Sequence, residues 1–359
     1  MRSGLSLSKL SAKFLFCISL LVLVSACGEK KLNKEELYEK CSSGVVLMCH
    51  HYYYKLVIDN DFIFYVGKNS DDTSYKESDI VGTYKFCNGI LASNKGEIVT
   101  NSAFSFVPSI DPTPYCNLLL TECRGVKYAM ELEAKNLAYS ALDGGLWGLI
   151  ATAQAYEKEI DEFYKQKKRI DLLITKLERN SVRVIPMSDF RIAYKGMSAT
   201  QKSDMRAVTL KEENEDLAVF QLMDRSTPND KYIFPIASFN NSEKGILEAL
   251  KEKIQGKSQF FMIGYDKSNF SAANTDLKPQ ITQGFDSLET NENEIAFHSS
   301  DVQSYSYGSP IINQLGELVA INGLKCIQEN AYAVKATKLL DILHIKRESQ
   351  KTHEEIKIK

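Results

Sequence analysis

The sequence has no excess of basic residues, and this absence argues against a nucleic acid partner. Its 359 residues include 44 Lys and Arg against 46 Asp and Glu, which gives a net charge of −2. A nucleic-acid-binding domain carries a clustered basic surface, so the charge balance gives no support for a nucleic acid partner. The 44% hydrophobic and 25% charged content is that of an ordinary globular protein.

Metal-ligand spacing is also missing. The cysteine spacings do not match a zinc site. His50 and His51 are neighbours on a predicted strand, where successive side chains point to opposite faces, so the two rings would not chelate one ion. We therefore expect neither a metal nor a cofactor.

The N-terminus has the order of features found in a secretory signal. Arg2, Lys9 and Lys13 precede an apolar run at residues 14–24, which is too short to span a bilayer as a helix. The run ends in Val24-Ser25-Ala26-Cys27, which resembles a bacterial lipobox. The alternative is an ordinary signal peptide.

The resemblance implies that residues 1–26 are removed and that Cys27 carries the lipid. More than one acyl chain gives stable anchoring to a membrane. Gly28 follows Cys27 where some bacteria place an Asp to retain lipoproteins in the inner membrane. We expect an anchor in the outer membrane, with the protein facing the periplasm or the cell surface.

Six cysteines remain after Cys17 and Cys27 are set aside, and an even number in an oxidising compartment favours disulfides. They are Cys41, Cys49, Cys87, Cys116, Cys123 and Cys326. Fifteen pairings are open. A strand from Val45 onward would separate Cys41 from Cys49 too far for a bond, whereas a Cys116–Cys123 loop is compatible with one.

Most of the chain has β patterning, interrupted by one helical stretch. Residues 45–58 and 62–66 are rich in β-branched and aromatic residues and predict a hairpin. The apolar spacing predicts helices over Val126–Leu142 and Leu146–Asn180, with a break at Asp143-Gly144-Gly145. Leu146–Ile150 is too short for a membrane span, so we expect a helix that is buried or faces a partner.

A second hairpin is predicted where a Gly-Ser-Pro turn leads into a short strand and an Asn-Gln-Leu-Gly turn leads from it into a second one. The segment reads Ser304-Tyr305-Ser306-Tyr307-Gly308-Ser309-Pro310-Ile311-Ile312-Asn313, then Gly316 and Leu318–Ile321. From Gly308 onward it resembles the nucleophile region of trypsin-like serine proteases. The resemblance places Tyr307 at the position of the nucleophilic serine.

Two further stretches carry the same resemblance. Residues 87–104 are similar to the family segment that delivers the general-base histidine, and that position holds Ala103. Residues 214–222 are similar to the segment whose aspartate orients the histidine, and Asp216 is retained there. The three segments occur in the family's order.

The resemblance implies a mainly β fold, a trypsin-like double β-barrel with an inserted α-helical hairpin. The expected divisions are a signal peptide (1–26), an anchor and tether (27–42), a first barrel lobe (43–225) with the insertion at 126–180, a second barrel lobe (226–345) and a charged tail (346–359). The second lobe draws on predicted strands at 260–265, 278–284, 294–298 and 331–334, and on a closing helix at 338–343.

The same resemblance implies lost chemistry, because the triad positions hold Ala103, Asp216 and Tyr307. A methyl group cannot accept the proton that the mechanism requires. Tyr305 stands where the family has the oxyanion-hole glycine, and a Cβ there disfavours the tight turn. No catalytic residues are therefore expected.

Three functions stay open at this point. The first is a lipid-anchored pseudoprotease that binds a protein or peptide at the cleft between the barrels or at the helical insertion. The second is a serine peptidase with displaced residues, in which Ser306 or Ser309 attacks and His298 is the histidine nearest in sequence. The third is a structural envelope lipoprotein.

Overall fold

The computed structural model describes residues 31–59, 62–67, 69, 71–143, 145–197, 205–237, 259–266, 278–287, 294–301, 307–327 and 330–344. The predicted signal peptide, Cys27, Tyr305, Ser306 and the charged tail lie outside these residues.

The first half of the chain forms one antiparallel sheet that closes on itself. Its strands are β1 (Val45–Asp59), β2 (Phe62–Val66), β3 (Thr73–Ser74), β4 (Thr83–Leu91), β5 (Glu97–Asn101), β6 (Arg183–Ala193), β7 (Arg206–Glu213) and β8 (Leu217–Leu222). The order is β3-β2-β1-β4-β5-β8-β7-β6, and β1 also pairs with β6. Six strands therefore make a closed barrel, from which β2 and β3 extend.

The second half forms another closed barrel of six strands. They are β9 (Gln259–Gly264), β10 (Gln280–Ser287), β11 (Glu294–His298), β12 (Pro310–Ile312), β13 (Leu318–Ile327) and β14 (Asn330–Lys335). The barrel closes in the order β10-β11-β14-β13-β12-β9. Met262, Phe297, Ile311 and Val319 are part of its core. Two closed six-stranded barrels confirm the predicted double-barrel fold.

Five helices complete the described part of the chain. They are α1 (Lys34–Cys41), α2 (Thr113–Leu142), α3 (Gly145–Ala155), α4 (Glu157–Glu178) and α5 (Thr337–Ile342). Helix α2 begins thirteen residues before the predicted start at Val126. Pro114 is tolerated because it lies in the first turn, where its missing N–H has no intrahelical acceptor. The second predicted helix is interrupted at Tyr156, and the two short strands predicted at 182–185 and 190–194 are one strand, β6.

Helices α2 and α4 pack against each other and against the hairpin β1–β2. Leu119 of α2 and Leu173 and Leu177 of α4 join Leu56 and Phe64 in one buried cluster. Ion pairs such as Lys127–Asp171 (2.6 Å) and Arg124–Glu178 (2.7 Å) link the outer faces of the two helices. Ile170 and Ile174 of the second predicted helix also pack against this cluster.

The disulfide expectation is not met by the cysteines whose side chains the structure describes. None of Cys41, Cys49, Cys87, Cys116 and Cys123 forms a disulfide, and all five are buried. Cys116 and Cys123 lie seven residues apart on α2, about 10.5 Å at 1.5 Å per residue, so the loop that would have brought them together does not exist. Burial raises the pKa of Cys41 to about 11, so this thiol stays protonated.

Two compact units divide the chain. One contains residues 1–48, 86–104 and 191–359, and the other contains residues 49–85 and 105–190. The first unit includes the whole second barrel together with β5, β7 and β8. The second includes the helices α2, α3 and α4.

Glu97 on β5 is a buried carboxylate whose partners set its titration. Burial by itself would raise the pKa of this carboxyl, but the ion pair with Lys211 and the Ser93 hydroxyl at 2.5 Å outweigh it and hold the pKa below its usual range. A depressed carboxyl pKa contributes stability above the unfolded-state pKa, and this contribution is lost as pH falls through the folded-state value.

We expect Lys211→Met to lower the free energy of unfolding by about 1–3 kcal/mol at neutral pH, because the buried Glu97 carboxylate loses its ion-pair partner. The loss is moderate because the Lys211 side chain is partly exposed, so water screens the pair. The loss should shrink in acid, once Glu97 is protonated in both proteins. Urea unfolding at pH 7 and below pH 4 measures this, with Lys127→Met on the helical surface as the control that should change less. A loss independent of pH would contradict the assignment.

Candidate functional site

The segment expected to carry the general base is a short turn at the end of β5. Ser102–Phe104 forms a single 3-10 turn directly after Asn101. The Ala103 N–H donates to the Asn101 side-chain oxygen at 3.1 Å, which closes the turn. Ala103 therefore lies at a well-defined position, and its side chain there is a methyl group.

The segment expected to carry the aspartate lies beside this turn. The Asn101 side-chain amide and the Ser102 N–H both donate to the backbone carbonyl of Asp216, each at 3.1 Å. The structure thus brings the turn that contains Ala103 next to the Asp216 segment. The contact is made by the Asp216 backbone. Its carboxylate is exposed, and no hydrogen bond between described residues reaches it.

The third segment, Tyr307–Ser309, is held by a glycine that no other residue could replace. Gly308 has a φ of +83°, and a Cβ built on it would lie 1.9 Å from the Asn88 carbonyl oxygen and 2.3 Å from Thr100 Oγ1. The Gly308 N–H donates to the Asn322 carbonyl at 2.7 Å. This close approach places Tyr307 directly against β4 and β5.

Ser309, one of the two candidates for a displaced nucleophile, is inside the protein. Its exposed fraction is 0%, and its hydroxyl oxygen accepts a hydrogen bond from the Asn88 amide at 2.9 Å. Gly264 covers it so closely that a Cβ there would lie 2.4 Å from Ser309 Oγ. A nucleophile must be reached by its substrate, so Ser309 in this position is a packing residue.

The remaining candidates are not joined into a catalytic set among the described residues. His298 lies on β11 with its Nδ1 3.0 Å from the Asn330 side-chain oxygen. Burial, followed by the neighbouring Cys87 thiol, raises the pKa of the Tyr307 phenol. At neutral pH the phenol is therefore protonated and is not a phenolate nucleophile. Ser306 and the oxyanion-equivalent Tyr305 lie outside the described residues.

Asn88 on β4 is the residue that joins these segments, and sequence reasoning did not single it out. Its side-chain oxygen accepts from the Tyr265 N–H at 2.8 Å, and its amide donates to the Tyr265 carbonyl at 3.3 Å as well as to Ser309. Its backbone N–H donates to the Tyr307 carbonyl at 3.0 Å, and its carbonyl accepts from Thr100 Oγ1 at 2.6 Å. Asn88 is completely buried.

One signal in the sequence could have identified Asn88. It is a polar amide within the run Cys87–Leu91, whose other large side chains are apolar and buried. Buried polar side chains are hydrogen-bonded, so an asparagine at that place predicts a network. The partners themselves are 177 and 221 residues away along the chain and could not be read from local pattern.

His50 and His51 occupy opposite sides of β1, as predicted. The His50 ring stacks on Phe190 at 4.2 Å, and its Nε2 lies 3.0 Å from Ser188 Oγ. The His51 ring stacks on Tyr84 at 4.5 Å, and its Nε2 lies 2.9 Å from the Val81 carbonyl. Within the described part of the chain, no three metal-ligating side chains converge on one point.

A second candidate site lies in the helical unit. The helices α2, α3 and α4 enclose a groove of about 640 Å³. Leu137, Leu149, Ile160 and Phe163 contribute apolar lining, and glutamates such as Glu159 contribute polar lining. A concave apolar site of this size is compatible with a small ligand or with part of a larger partner.

Comparison with solved structures adds a remote likeness. The chain is similar to the serine endoprotease from Yersinia pestis, with a TM-score of 0.40 and 13% sequence identity over 88% of this chain and 67% of that chain. No protein-family model and no curated protein matches the chain. A likeness at this TM-score carries no weight for function, and the fold assignment rests on the strand topology.

Proposed function

We propose that the chain is a lipid-anchored pseudoprotease of the bacterial cell envelope, which works as a binding or scaffold protein. One observation carries the proposal. Ala103 lies in the turn after β5, and Asn101 and Ser102 of that segment each donate a hydrogen bond to the Asp216 carbonyl, which supports Ala103, with its methyl side chain, as the residue at the general-base position. A trypsin-like enzyme without that base has no group to deprotonate its nucleophile.

The chemistry of the other positions supports the same proposal. Tyr307 stands at the nucleophile position with a phenol whose pKa is raised by burial. Ser309, the nearest described hydroxyl in the sequence, is fully buried and hydrogen-bonded to Asn88. None of these side chains forms a pair of nucleophile and base.

The proposed location rests on the N-terminal pattern. The basic residues, the apolar run 14–24 and the motif ending in Cys27 together favour lipid attachment at Cys27 and an anchor in the outer membrane. The proposed partner is a protein or peptide. The apolar groove of the helical unit supports the helical insertion as its binding surface.

The competing function is a serine peptidase that uses a displaced residue such as Ser306. We expect the full chain to show no labelling by a fluorophosphonate probe, because the described triad positions provide no base and no accessible nucleophile. Labelling followed by peptide mapping tests this, with an active trypsin-like enzyme as the positive control. Stoichiometric labelling would overturn the proposal, and the modified peptide would identify the nucleophile.

The double variant Ala103→His/Tyr307→Ser serves as the matched partner in that experiment. Labelling of the double variant alone would place the loss of activity at those two positions. Labelling of neither protein leaves the wild-type expectation fulfilled, and then either the oxyanion hole is lost as well, where Tyr305 replaces glycine, or the resemblance to trypsin-like proteases does not hold at these positions.

A further inference from the structure

Helix α3 is exposed although its sequence is almost entirely apolar. Its eleven residues, Gly-Leu-Trp-Gly-Leu-Ile-Ala-Thr-Ala-Gln-Ala, include no charged side chain. The sequence predicted that this helix would be buried or face a partner, but Trp147 is 80% and Leu146 70% exposed. We call α3, together with the exposed end of α2 from Tyr139 to Leu142, the helical tip.

The exposed apolar side chains of the helical tip cover most of its outer surface. At about 100° per residue, Leu146, Trp147, Leu149 and Ile150 spread over roughly 160° of α3. Gly148 lies on the remaining side, where a Cβ would be 2.6 Å from the Ala141 carbonyl oxygen, so this face is the one packed on α2. Tyr139 and Leu142 extend the apolar surface onto α2. Monomeric soluble proteins rarely expose a contiguous apolar patch of this kind without a use for it.

We propose that the helical tip inserts into the headgroup and upper acyl region of a lipid bilayer. A fluid apolar phase can cover an apolar arc of this width along the whole length of the helix. Because α3 carries no charged side chain, its own residues add no cost of burying a charge on insertion. Tryptophan, with an apolar ring and one N–H donor, suits the boundary between lipid and water.

Helix α3 is too short to cross the membrane. Eleven residues span about 16 Å at 1.5 Å per residue, roughly half of a hydrocarbon core of about 30 Å. Consistently, the described residues contain no helix with the length and hydropathy of a membrane span. The insertion is therefore shallow, as in interfacial helices. This inference does not depend on loss of peptidase activity or on lipid attachment at Cys27.

The chain contains its own probe for this inference, because Trp147 is its one tryptophan. The experiment adds phosphatidylcholine vesicles to the full chain and records tryptophan emission. It is repeated with vesicles whose acyl chains carry bromine near the headgroup or near the chain end. We expect a shift of the emission to shorter wavelength, with stronger quenching by bromine near the headgroup. Even if other segments bring the protein to the vesicle, the signal reports only the surroundings of Trp147.

Two variants make the test specific. Leu146→Ser/Ile150→Ser should weaken partition of the tip on the order of ten- to a hundredfold for each side chain that lipid would bury, and so abolish the shift at moderate lipid concentration. Leu172→Ser, also exposed but on α4, about 22 Å along the helix axis from its start, should leave the shift unchanged.

Two outcomes would overturn the proposal. Emission that does not change at high lipid concentration would show that Trp147 stays in water. A shift that appears without vesicles and grows with protein concentration would assign the helical tip to self-association of the chain. Neither outcome bears on the fluorophosphonate experiment, so this inference and the proposed function fail separately.

Discussion

Gly308→Ala should lower the free energy of unfolding by more than about 4 kcal/mol, which is a large part of the stability of a typical domain. The left-handed backbone at φ +83° accounts for only about 1–2 kcal/mol of this loss. The larger part comes from space, because the added Cβ would lie 1.9 Å from the Asn88 carbonyl oxygen. That oxygen belongs to the backbone of β4 and already accepts a hydrogen bond from Thr100, so it cannot move away without breaking the network.

Gly196→Ala is the control that separates backbone strain from steric overlap. Gly196 has a φ of +86°, almost the same as Gly308, but a Cβ added to it would meet no atom within 4 Å. We expect Gly196→Ala to cost only about 1–2 kcal/mol.

Urea unfolding followed by circular dichroism measures both variants. If Gly308→Ala does not accumulate as folded protein while Gly196→Ala does, the comparison still gives the expected order. If the two variants lost the same free energy of unfolding, Tyr307–Ser309 would not lie as close to β4 as described.

The fold was largely predictable because it rests on local patterns in a recognisable order. Hairpins at residues 45–66 and 310–321 follow from β-branched runs separated by turn residues, and the structure has them at those places. The β runs at 260–265, 294–298 and 331–334 are likewise strands of the structure. Each of these inferences needed only a few consecutive residues.

What could not be predicted depends on contacts between distant residues or on context. The early start of α2 at Thr113 has no strong periodic signal, because Gly125 and polar residues dilute the apolar stripe. The disulfide expectation came from the inferred compartment and not from geometry, and the helix that separates Cys116 from Cys123 rules out that pairing. The exposure of Trp147 could not be read from composition, because an apolar helix is as easily buried as exposed.

Asn88→Ala tests the network that joins the three motif segments. The variant removes the acceptor for the Tyr265 N–H and the donor to Ser309, both completely or almost completely enclosed. Each buried polar group that loses its partner costs about 1–3 kcal/mol, so we expect a loss of about 3–5 kcal/mol.

Asn214→Ala is the matched control for that variant. The Asn214 side-chain oxygen accepts from two backbone N–H groups, those of Asp216 at 3.0 Å and Leu217 at 2.8 Å, but Asn214 is exposed. Water can replace an exposed acceptor, so we expect a loss of about 1 kcal/mol. If the two alanine variants lose the same stability, Asn88 does not hold the site together.

Asn88→Asp should make the loss of stability depend on pH, which a purely steric role of Asn88 would not do. The new carboxyl keeps an acceptor for the Tyr265 N–H, but its second oxygen faces the Tyr265 carbonyl, where the native amide donates. Burial and this carbonyl both disfavour the charged form, so the pKa of Asp at this position should rise in the folded state. A carboxyl with a raised folded-state pKa loses stability as pH rises from its unfolded value toward the folded one.

The variant should therefore be least stable, relative to the wild type, at neutral pH, and should approach it in acid, where the protonated carboxyl can donate to Tyr265. The wild type must be measured at each pH, because Glu97 weakens both proteins in acid. The difference in the free energy of unfolding between the two proteins is the quantity to follow. A difference that stays constant between pH 4 and pH 7 would mean that no donor is needed at Asn88. The network would then not explain why Tyr307 and Ser309 lie where they do.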